Sequence, residues 1–429
     1  MKDKQRVVVT GFSAMTPAGC GVDRFWNNIV EGVSGIKEIT AFTIPENMSN
    51  IAGIVEDFES YANWLTDEEK KNLDRSCLFA MAAAEEALEM AQLKQQADEA
   101  RKMSRFHVHI ATAISNIQKM EETLVDWSSE SEASLPYVDR PDPQAYQAFQ
   151  FGTVSKILAK KYGFKGSHSV MATGCTGGVD AIGHAFQTVR QGKADVILTG
   201  ATEAPITPLV VAAFSKINAT TKYTDHPEKA SRPFDESRSG FVLAEGCGLL
   251  ILESLEHALE RGATIYGEIM GFGSCNNALH MTDIPGDGES IAKSMQLALQ
   301  DAACAVEEID YVNLHGSSTP QNDIAESNAM QLVFGKSGSQ IPVTSIKSQI
   351  GHALAASNSI ELVSTIKTLS TGLIPPTINL DKQDPACQLN VVKQANRSFD
   401  VRKIMKISSG FSGIHSSLVL GKYEGEMHA

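Results

Sequence analysis

The sequence predicts an α/β protein in which helices cover sheets, and three observations lead there. Short apolar and β-branched runs alternate with segments of helical period along the whole chain. Many predicted strands end in small residues, as in Thr10-Gly-Phe-Ser13, Thr199-Gly-Ala-Thr202 and Leu314-His-Gly-Ser317. The 429 residues, 42% hydrophobic and 21% charged, suffice for a large core. Length alone suggests about two to three domains.

Residues 6–10 read as the first strand, because the run Val7-Val-Val9 is too short for a signal-peptide core. Residues 74–90 carry a helical pattern and 108–113 a strand. Residues 118–147 hold Glu121-Glu122, an acidic and serine-rich stretch at 126–134, and the turn-rich 139–143. They read as a polar excursion from the core: a solvated loop by default, or a cover over a pocket or subunit interface. Residues 167–171 form a short strand. Val179, Ile182, Phe186 and Val189 then recur at helical spacing, which predicts a helix over 177–191. Further strands fall at 194–199, 248–252, 268–271, 311–314, 342–346 and 417–420. Further helices fall at 255–261, 289–302, 323–334 and 359–369.

This order places Cys175 at a strand-to-helix turn, in Met171-Ala-Thr-Gly-Cys-Thr-Gly-Gly178. A helix N-terminus carries unpaired N–H groups and partial positive charge, which favour thiolate over thiol. His315 and His352 stand at two further strand-to-helix turns. In open α/β sheets, sites gather beyond the carboxyl ends of strands. A buried structural cysteine is the alternative reading of Cys175 alone; three such turns together favour chemistry.

The balance of charge excludes other classes. A net charge of -14 and a pI of about 5.3, with no long Lys/Arg run, disfavour nucleic-acid binding through phosphates. The seven cysteines, at 20, 77, 175, 247, 275, 304 and 387, include no CxxC pair. Neither a metal site nor a disulfide framework is expected, and a cytoplasmic location fits. No stretch approaches the roughly 18 apolar residues of a membrane span. His107 and His109 alternate on a strand without a carboxylate or cysteine cluster, so they too predict no metal.

The motifs now add up to a family resemblance. Val7-Val-Val-Thr-Gly-Phe-Ser13, Thr173-Gly-Cys-Thr-Gly-Gly178, Ser231-Arg-Pro-Phe-Asp235, Gly240-Phe-Val-Leu243, Tyr311-Val-Asn-Leu-His-Gly-Ser-Ser-Thr319, Ser345-Ile-Lys-Ser-Gln-Ile-Gly-His352 and Pro375-Pro-Thr-Ile-Asn-Leu380 occur in one order. In that order they resemble the β-ketoacyl-acyl-carrier-protein synthases, condensing enzymes of the thiolase superfamily. Gly200-Ala-Thr-Glu-Ala-Pro-Ile-Thr-Pro208 and Ile217-Asn-Ala-Thr-Thr221 resemble the ketosynthase α subunits of type II polyketide synthases most. Fatty-acid elongation synthases are similar in the catalytic motifs.

The resemblance implies a thiolase-like fold of two similar α/β halves in five α-β-α-β-α layers. Residues 1–262 would carry the nucleophile and 263–429 the histidines. It implies decarboxylative Claisen condensation of malonyl-acyl carrier protein with a chain held on Cys175. Cys175, His315, His352 and Lys347 take the catalytic positions. The N–H groups of Cys175 and Phe411 match an oxyanion hole, with Phe411 also the gate. Ser317 and Thr319 match pantetheine-binding hydroxyls, unless they cap the next helix. Glu326 is expected to pair with Lys347, and Asp323 to support the loop.

No permanently bound cofactor is implied, since substrates ride on the phosphopantetheine arm of acyl carrier protein. The implied partners are that carrier protein and a chain-length-factor subunit in a heterodimer, or otherwise a second copy. A non-catalytic chain-length factor is disfavoured by Cys175. A coenzyme A-dependent thiolase is disfavoured because 410–415 lacks a second cysteine.

Four departures stand out. Ser412 replaces a gate glycine and stiffens it, and His415 reads as structural. Ile114-Ser-Asn-Ile-Gln118 replaces a glycine-rich turn of the acyl pocket. The basic docking patch is reduced to Lys70 and Lys71, with Glu68 and Asn72 beside them. His280, in a loop flanking the site, is a weaker candidate.

Overall fold

Two sets of five strands follow each other along the chain, and both sets assemble in the same order. The computed structural model describes residues 4–93, 102–129, 145–394 and 400–425. The first set is β1 (Val7–Thr16), β2 (Phe106–Ala111), β3 (His168–Met171), β4 (Val196–Glu203) and β5 (Gly246–Ser254). The second is β6 (Gly267–Asn276), β7 (Tyr311–Asn313), β8 (Pro342–Thr344), β9 (Lys403–Ser409) and β10 (Ile414–Gly421).

In space they run β3-β2-β4-β5-β1 and β8-β7-β9-β10-β6. In each set the pairing is parallel, parallel, antiparallel, antiparallel. The same order with the same sense marks a duplicated unit. The sets meet where β1 pairs with β6, with Val7 opposite Ile269, Val8 opposite Glu268 and Val9 opposite Gly267.

Helices fill the layers. They are α1 (Arg75–Met90), α2 (Thr153–Tyr162), α3 (Gly177–Arg190), α4 (Glu289–Ala302), α5 (Pro320–Phe334) and α6 (Ala355–Thr371). Helices α3 and α6 lie between the two sets of strands; α1 and α2 cover one outer face, and α4 with α5 covers the other. The long strands β1, β4 and β5 are therefore buried on both faces, which is why they read as largely apolar runs. On β5, Leu250 and Leu252 face the central layer while Leu249 and Ile251 face α1. On β10, Leu418 and Leu420 face inward and Val419 faces α4. The period of two does the sorting.

The central layer is tight because its residues are small. Ser359, Ser364, Thr365 and Thr368 of α6 are buried and return their hydroxyls to carbonyls of their own helix, at 2.7–3.0 Å. Gly178 of α3 sits against this surface. A Cβ there would stand 2.7 Å from the Ala355 carbonyl oxygen and 2.8 Å from the Ser359 nitrogen, both backbone.

The structure corrects several expectations. β1 and β4 run well past their expected ends, and Thr153–Tyr162, Pro208–Lys216 and β9 were not anticipated. β9 escapes notice because Lys403 and Lys406 interrupt its apolar pattern. Part of the acidic excursion is a helix, Ile117–Ser129, carrying a Lys119–Glu122 pair of 2.6 Å at i,i+3 spacing. Lys119 and Glu122 share a helical face, where a loop was expected. Residues 130–144 of that excursion lie outside the described residues. Among the described residues no helix is long and apolar enough to cross a membrane.

The contact of α3 with α6 yields a test. Gly178→Ala is expected to destabilise the protein by about 1–3 kcal/mol through overpacking against backbone that cannot yield. The check is a lower urea midpoint at unchanged slope.

Candidate active site

The duplicated topology explains why three distant residues meet. Cys175 follows β3, and His352 follows β8, the matching strand of the second set. His315 follows β7, and Phe411 follows β9. All four stand beyond carboxyl ends of strands, where helices begin.

Cys175 lies in a 3-10 turn, Gly174–Thr176, that runs into α3. Gly174 takes φ +60°, a left-handed conformation that glycine adopts at no steric cost. Asp180, one turn into α3, holds the nucleophile turn: it accepts from Thr173 at 2.5 Å, Thr176 at 2.7 Å and Ser416 at 2.5 Å. Asn358 of α6 donates to the Cys175 carbonyl at 2.6 Å. The sulfur shares an apolar cluster with Ala113, Ile114, Ile117, Ile206 and Phe214.

That setting corrects the expectation of a thiolate. Although the residue is part-exposed, burial of its sulfur pushes the Cys175 thiol up to about 11. Lys347 and the N–H groups of Phe411 and Cys175 act the other way without prevailing. Desolvation outweighs the helix N-terminus here. The same two N–H groups are the expected oxyanion-hole donors.

The two imidazole rings stand nearly perpendicular, with centroids 5.1 Å apart. Both are buried. Burial first, and the Lys347 charge second, holds each well below the usual imidazole range. Both are therefore neutral near pH 7. His352 Nδ1 lies 2.8 Å from the Ser357 hydroxyl, which has no other hydrogen bond among the described residues. A hydroxyl donating there assigns the ring proton to Nε2. Asn358 Oδ1 and His315 Nδ1 lack hydrogen-bond partners, although Asn358 is close enough to act on the His315 proton affinity. Asn358 is thus a neighbour of His315 and not its hydrogen-bond partner.

Lys347 is fully buried and donates to the His315 carbonyl at 2.8 Å and to Glu361 Oε1 at 2.7 Å. Lys406 donates to Glu361 Oε2 at 2.7 Å. Burial pulls Lys406 down to about 8 against the attraction of Glu361. The expected pairing of Lys347 with Glu326 is thus wrong; the partner is Glu361 on α6. Glu326 instead accepts from the backbone N–H of His315 at 2.6 Å and of Gly316 at 2.7 Å, and from Asn322 at 2.8 Å. Burial and the neighbouring Asp323 push it up to about 7. Asp323 accepts from the Phe234 N–H at 2.8 Å and lies 3.4 Å from Arg238, in a loop-supporting position. Nearness to His315 in sequence favoured Glu326, whereas Glu361 arrives from another helix.

Ser317 and Thr319 bond each other at 2.8 Å. Thr319 begins α5 without a side-chain cap, so helix capping does not explain these hydroxyls. Phe411 stacks toward Phe214 at 6.5 Å, Phe214 toward Phe241 at 5.5 Å, and Phe241 toward His352 at 5.1 Å. Ser412 takes φ 67°; its N–H donates to Met281 and its carbonyl accepts from Asn276. The loop that carries His280 thus straps the gate, while His280 itself is exposed and bonds within that loop. His415 is buried beside Ser409, and burial pushes it down to about 4, in keeping with a structural role. Among the described residues no group of three or more His, Cys, Asp or Glu could hold a metal ion.

Residues 4–258 match the β-ketoacyl synthase N-terminal domain, and residues 266–381 match its C-terminal domain. The chain belongs to the β-ketoacyl synthase family. It is 38% identical over 419 residues to a putative polyketide beta-ketoacyl synthase 1 of Streptomyces halstedii, covering 97% of this chain and 98% of the relative. It is 37% identical over 425 residues to the 3-oxoacyl-[acyl-carrier-protein] synthase 2 of Synechocystis sp., covering 98% and 99%. Among solved structures, a chain from a type II polyketide synthase acyl-carrier protein in complex with its ketosynthase bound to the hexaketide superposes with a TM-score of 0.90. That match is 41% identical and covers 98% of this chain and 100% of the other. The fold is therefore the thiolase-like fold of the ketosynthases.

Sequence reasoning missed Asp180, Asn358, Ser357, Glu361 and Lys406. Only Asp180 left a local signal, since Thr173 and Thr176 precede it by seven and four residues on one helical face. The ion network is the sharpest test. Glu361→Gln strands two buried lysines and is expected to cost about 3–5 kcal/mol in urea unfolding.

Proposed function

We propose that this β-ketoacyl synthase extends a polyketide chain on Cys175 with units from malonyl-acyl carrier protein. The observation that carries this reading is the meeting of one thiol, two N–H donors and two neutral imidazoles at four strand ends. The Cys175 sulfur attacks the incoming thioester carbonyl, and the N–H groups of Cys175 and Phe411 receive the oxyanion. The carrier thiol leaves with the proton. Malonyl thioester then loses CO2, and the electron pair of the broken C–C bond passes into an enolate. Nε2–H groups of His315 and His352 donate to its oxygen. The enolate carbon attacks the acyl-Cys175 carbonyl, a C–C bond forms, the C–S bond breaks, and the departing Cys175 thiolate takes a proton from solvent.

Neutrality of the rings matters in that sequence. An imidazolium would pair with the malonyl carboxylate and oppose its departure. A neutral donor stabilises the enolate without holding the acid back. Lys347 is then a positioning residue: it grips the His315 carbonyl and keeps both rings unprotonated. Glu326 and Asp323 set the His315 loop. Ser317 and Thr319 are assigned to the pantetheine arm because neither serves as a cap. Division into 1–262 and 263–429 agrees with the repeated strand order, the chain crossing between sets after Leu255–Glu260.

We assign acyl carrier protein as the substrate donor, with no permanently bound cofactor, and a chain-length-factor subunit as partner. β3 is an edge strand paired only with β2 among the described residues, and Leu209, Ile217, Tyr146 and Phe151 expose apolar surface. An uncovered edge and apolar patches fit a subunit contact. Seven free cysteines fit the cytoplasm. Fatty-acid elongation is the second reading, favoured by the 37% identity to the Synechocystis synthase.

The test supplies acyl- and malonyl-carrier protein, with and without the partner subunit, and no ketoreductase. Mass spectrometry should find a Cys175 adduct, CO2 should be released, and unreduced β-keto chains should grow beyond one round. No adduct and no CO2 would sink the condensing role, and a single round that stops at the β-keto stage would favour fatty-acid elongation. Lys347→Met should slow decarboxylation at pH 7 by at least ~10-fold and move its acid limb toward neutral pH. The sign follows from the lysine's charge, which depresses both histidines and is removed by the change.

A further inference from the structure

Glu203 ends β4, is wholly buried, and takes no part in the condensation steps assigned to Cys175, His315 and His352. Its Oε1 accepts from the Thr112 hydroxyl and the Ala113 N–H, and the Ile114 N–H also acts on the carboxyl. Thr112 Oγ1 in turn accepts from the Ser115 N–H at 2.8 Å, where Ser115 takes φ 56°. These residues form the turn beyond β2. That turn occupies in the first set of strands the place that the His315 turn occupies in the second. Ala113 and Ile114 pack in the same apolar cluster as Cys175.

The other carboxyl oxygen, Oε2, is buried without any hydrogen-bond partner, and no cation pairs with Glu203 among the described residues. An ionised carboxylate would leave charge on that bare oxygen. A proton there removes the charge, so the geometry favours the neutral acid.

We propose that Glu203, held as a neutral acid with its proton on Oε2, is a positioning residue that fixes the 112–115 turn behind Cys175 without setting a negative charge beside the thiol. The inference rests on Cys175 as nucleophile and not on which chain it carries. Burial pushes the Glu203 carboxyl up to about 8, in keeping with this geometry. The titratable groups that act on it include Asp74 at the start of α1, and Glu203 in turn acts on Cys175. When Glu203 ionises, its charge raises the Cys175 thiol further, against the pull of Lys347. A carboxylate in this place would blunt the nucleophile as pH rises.

The experiment is alkylation of Cys175 by iodoacetamide across pH 7 to 10, read by mass spectrometry of the peptide that carries it. It needs no carrier protein, so it stands apart from the polyketide reading. Wild type and Glu203→Gln should react within about twofold of each other at pH 7. At pH 9.5 Glu203→Gln should react about 3–10-fold faster, because the neutral amide cannot ionise. Lys406 titrates in the same range but is common to both proteins. Glu203→Ala, which releases the turn, should load an acyl group at least ~5-fold more slowly at pH 7, with KM for the malonyl donor unchanged. Coincident wild-type and Glu203→Gln profiles, or wild-type loading by Glu203→Ala, would overturn the proposal. If neither variant folds, infrared titration of a Glu326→Gln protein decides, because that change removes the other carboxyl pushed up to about 7. A protonated-carboxyl band that persists at pH 7 and disappears above about pH 8 supports it, and no such band at pH 7 refutes it.

Discussion

A buried excess of positive charge governs this site. Lys347 and Lys406 share one carboxylate, Glu361, and all three are sealed from water. A buried ion pair adds little to stability when weighed against apolar packing. Its value here is chemical. It ties down the carbonyl of His315 through Lys347 and that of Leu314 through Lys406, the latter at 3.4 Å, so the strand end beneath the histidine cannot drift. It also sets the proton affinity of both rings. Removing charge from this trio alters geometry and acidity together, which makes the network a single functional unit.

The two sets of strands use a common device at their second strand ends. In each, a buried carboxyl gathers hydrogen-bond donors of the turn that follows. Glu326 does so for His315 and Gly316, and Glu203 does so for Ala113, together with the Thr112 hydroxyl of the same turn. The carboxyls come from different elements, a helix in one case and a strand end in the other. The turn needs its donors satisfied because it is buried, and a carboxyl satisfies two at once. One copy presents a catalytic ring, and the other presents apolar wall. The duplication thus supplies two equivalent frames, and side-chain choice makes them unlike.

Much of this was legible in the sequence, and what was not has physical reasons. The α/β class followed from apolar periodicity, and Glu289–Ala302 matches its expected range to the residue. Cys175, His315 and His352 were legible because strand ends are marked by small residues. β9 was hidden by Lys406, a charge inside a strand that makes sense only with Glu361 opposite. Glu361 itself sits on a helix where Ser, Thr and Asn are buried, so no amphipathic pattern announced its role. The thiol was misjudged because a helix N-terminus is a local feature, whereas desolvation belongs to the assembled cavity. Partners across hundreds of residues leave no spacing to read.

The seam between the two sets has a consequence for how the chain is made. β1 is synthesised first, yet its neighbours are β5 and β6, whose strands close only after residues 254 and 276 have emerged. Its apolar run Val7-Val-Val9 must wait, unpaired, while some 240 intervening residues are built. During that interval the nascent chain carries an exposed strand edge, the kind of surface that chaperones shield. Folding of the nucleophile half is therefore bound to translation of the start of the other half, and a chain truncated before β6 would leave Val7–Val9 of its first strand unpaired along one edge.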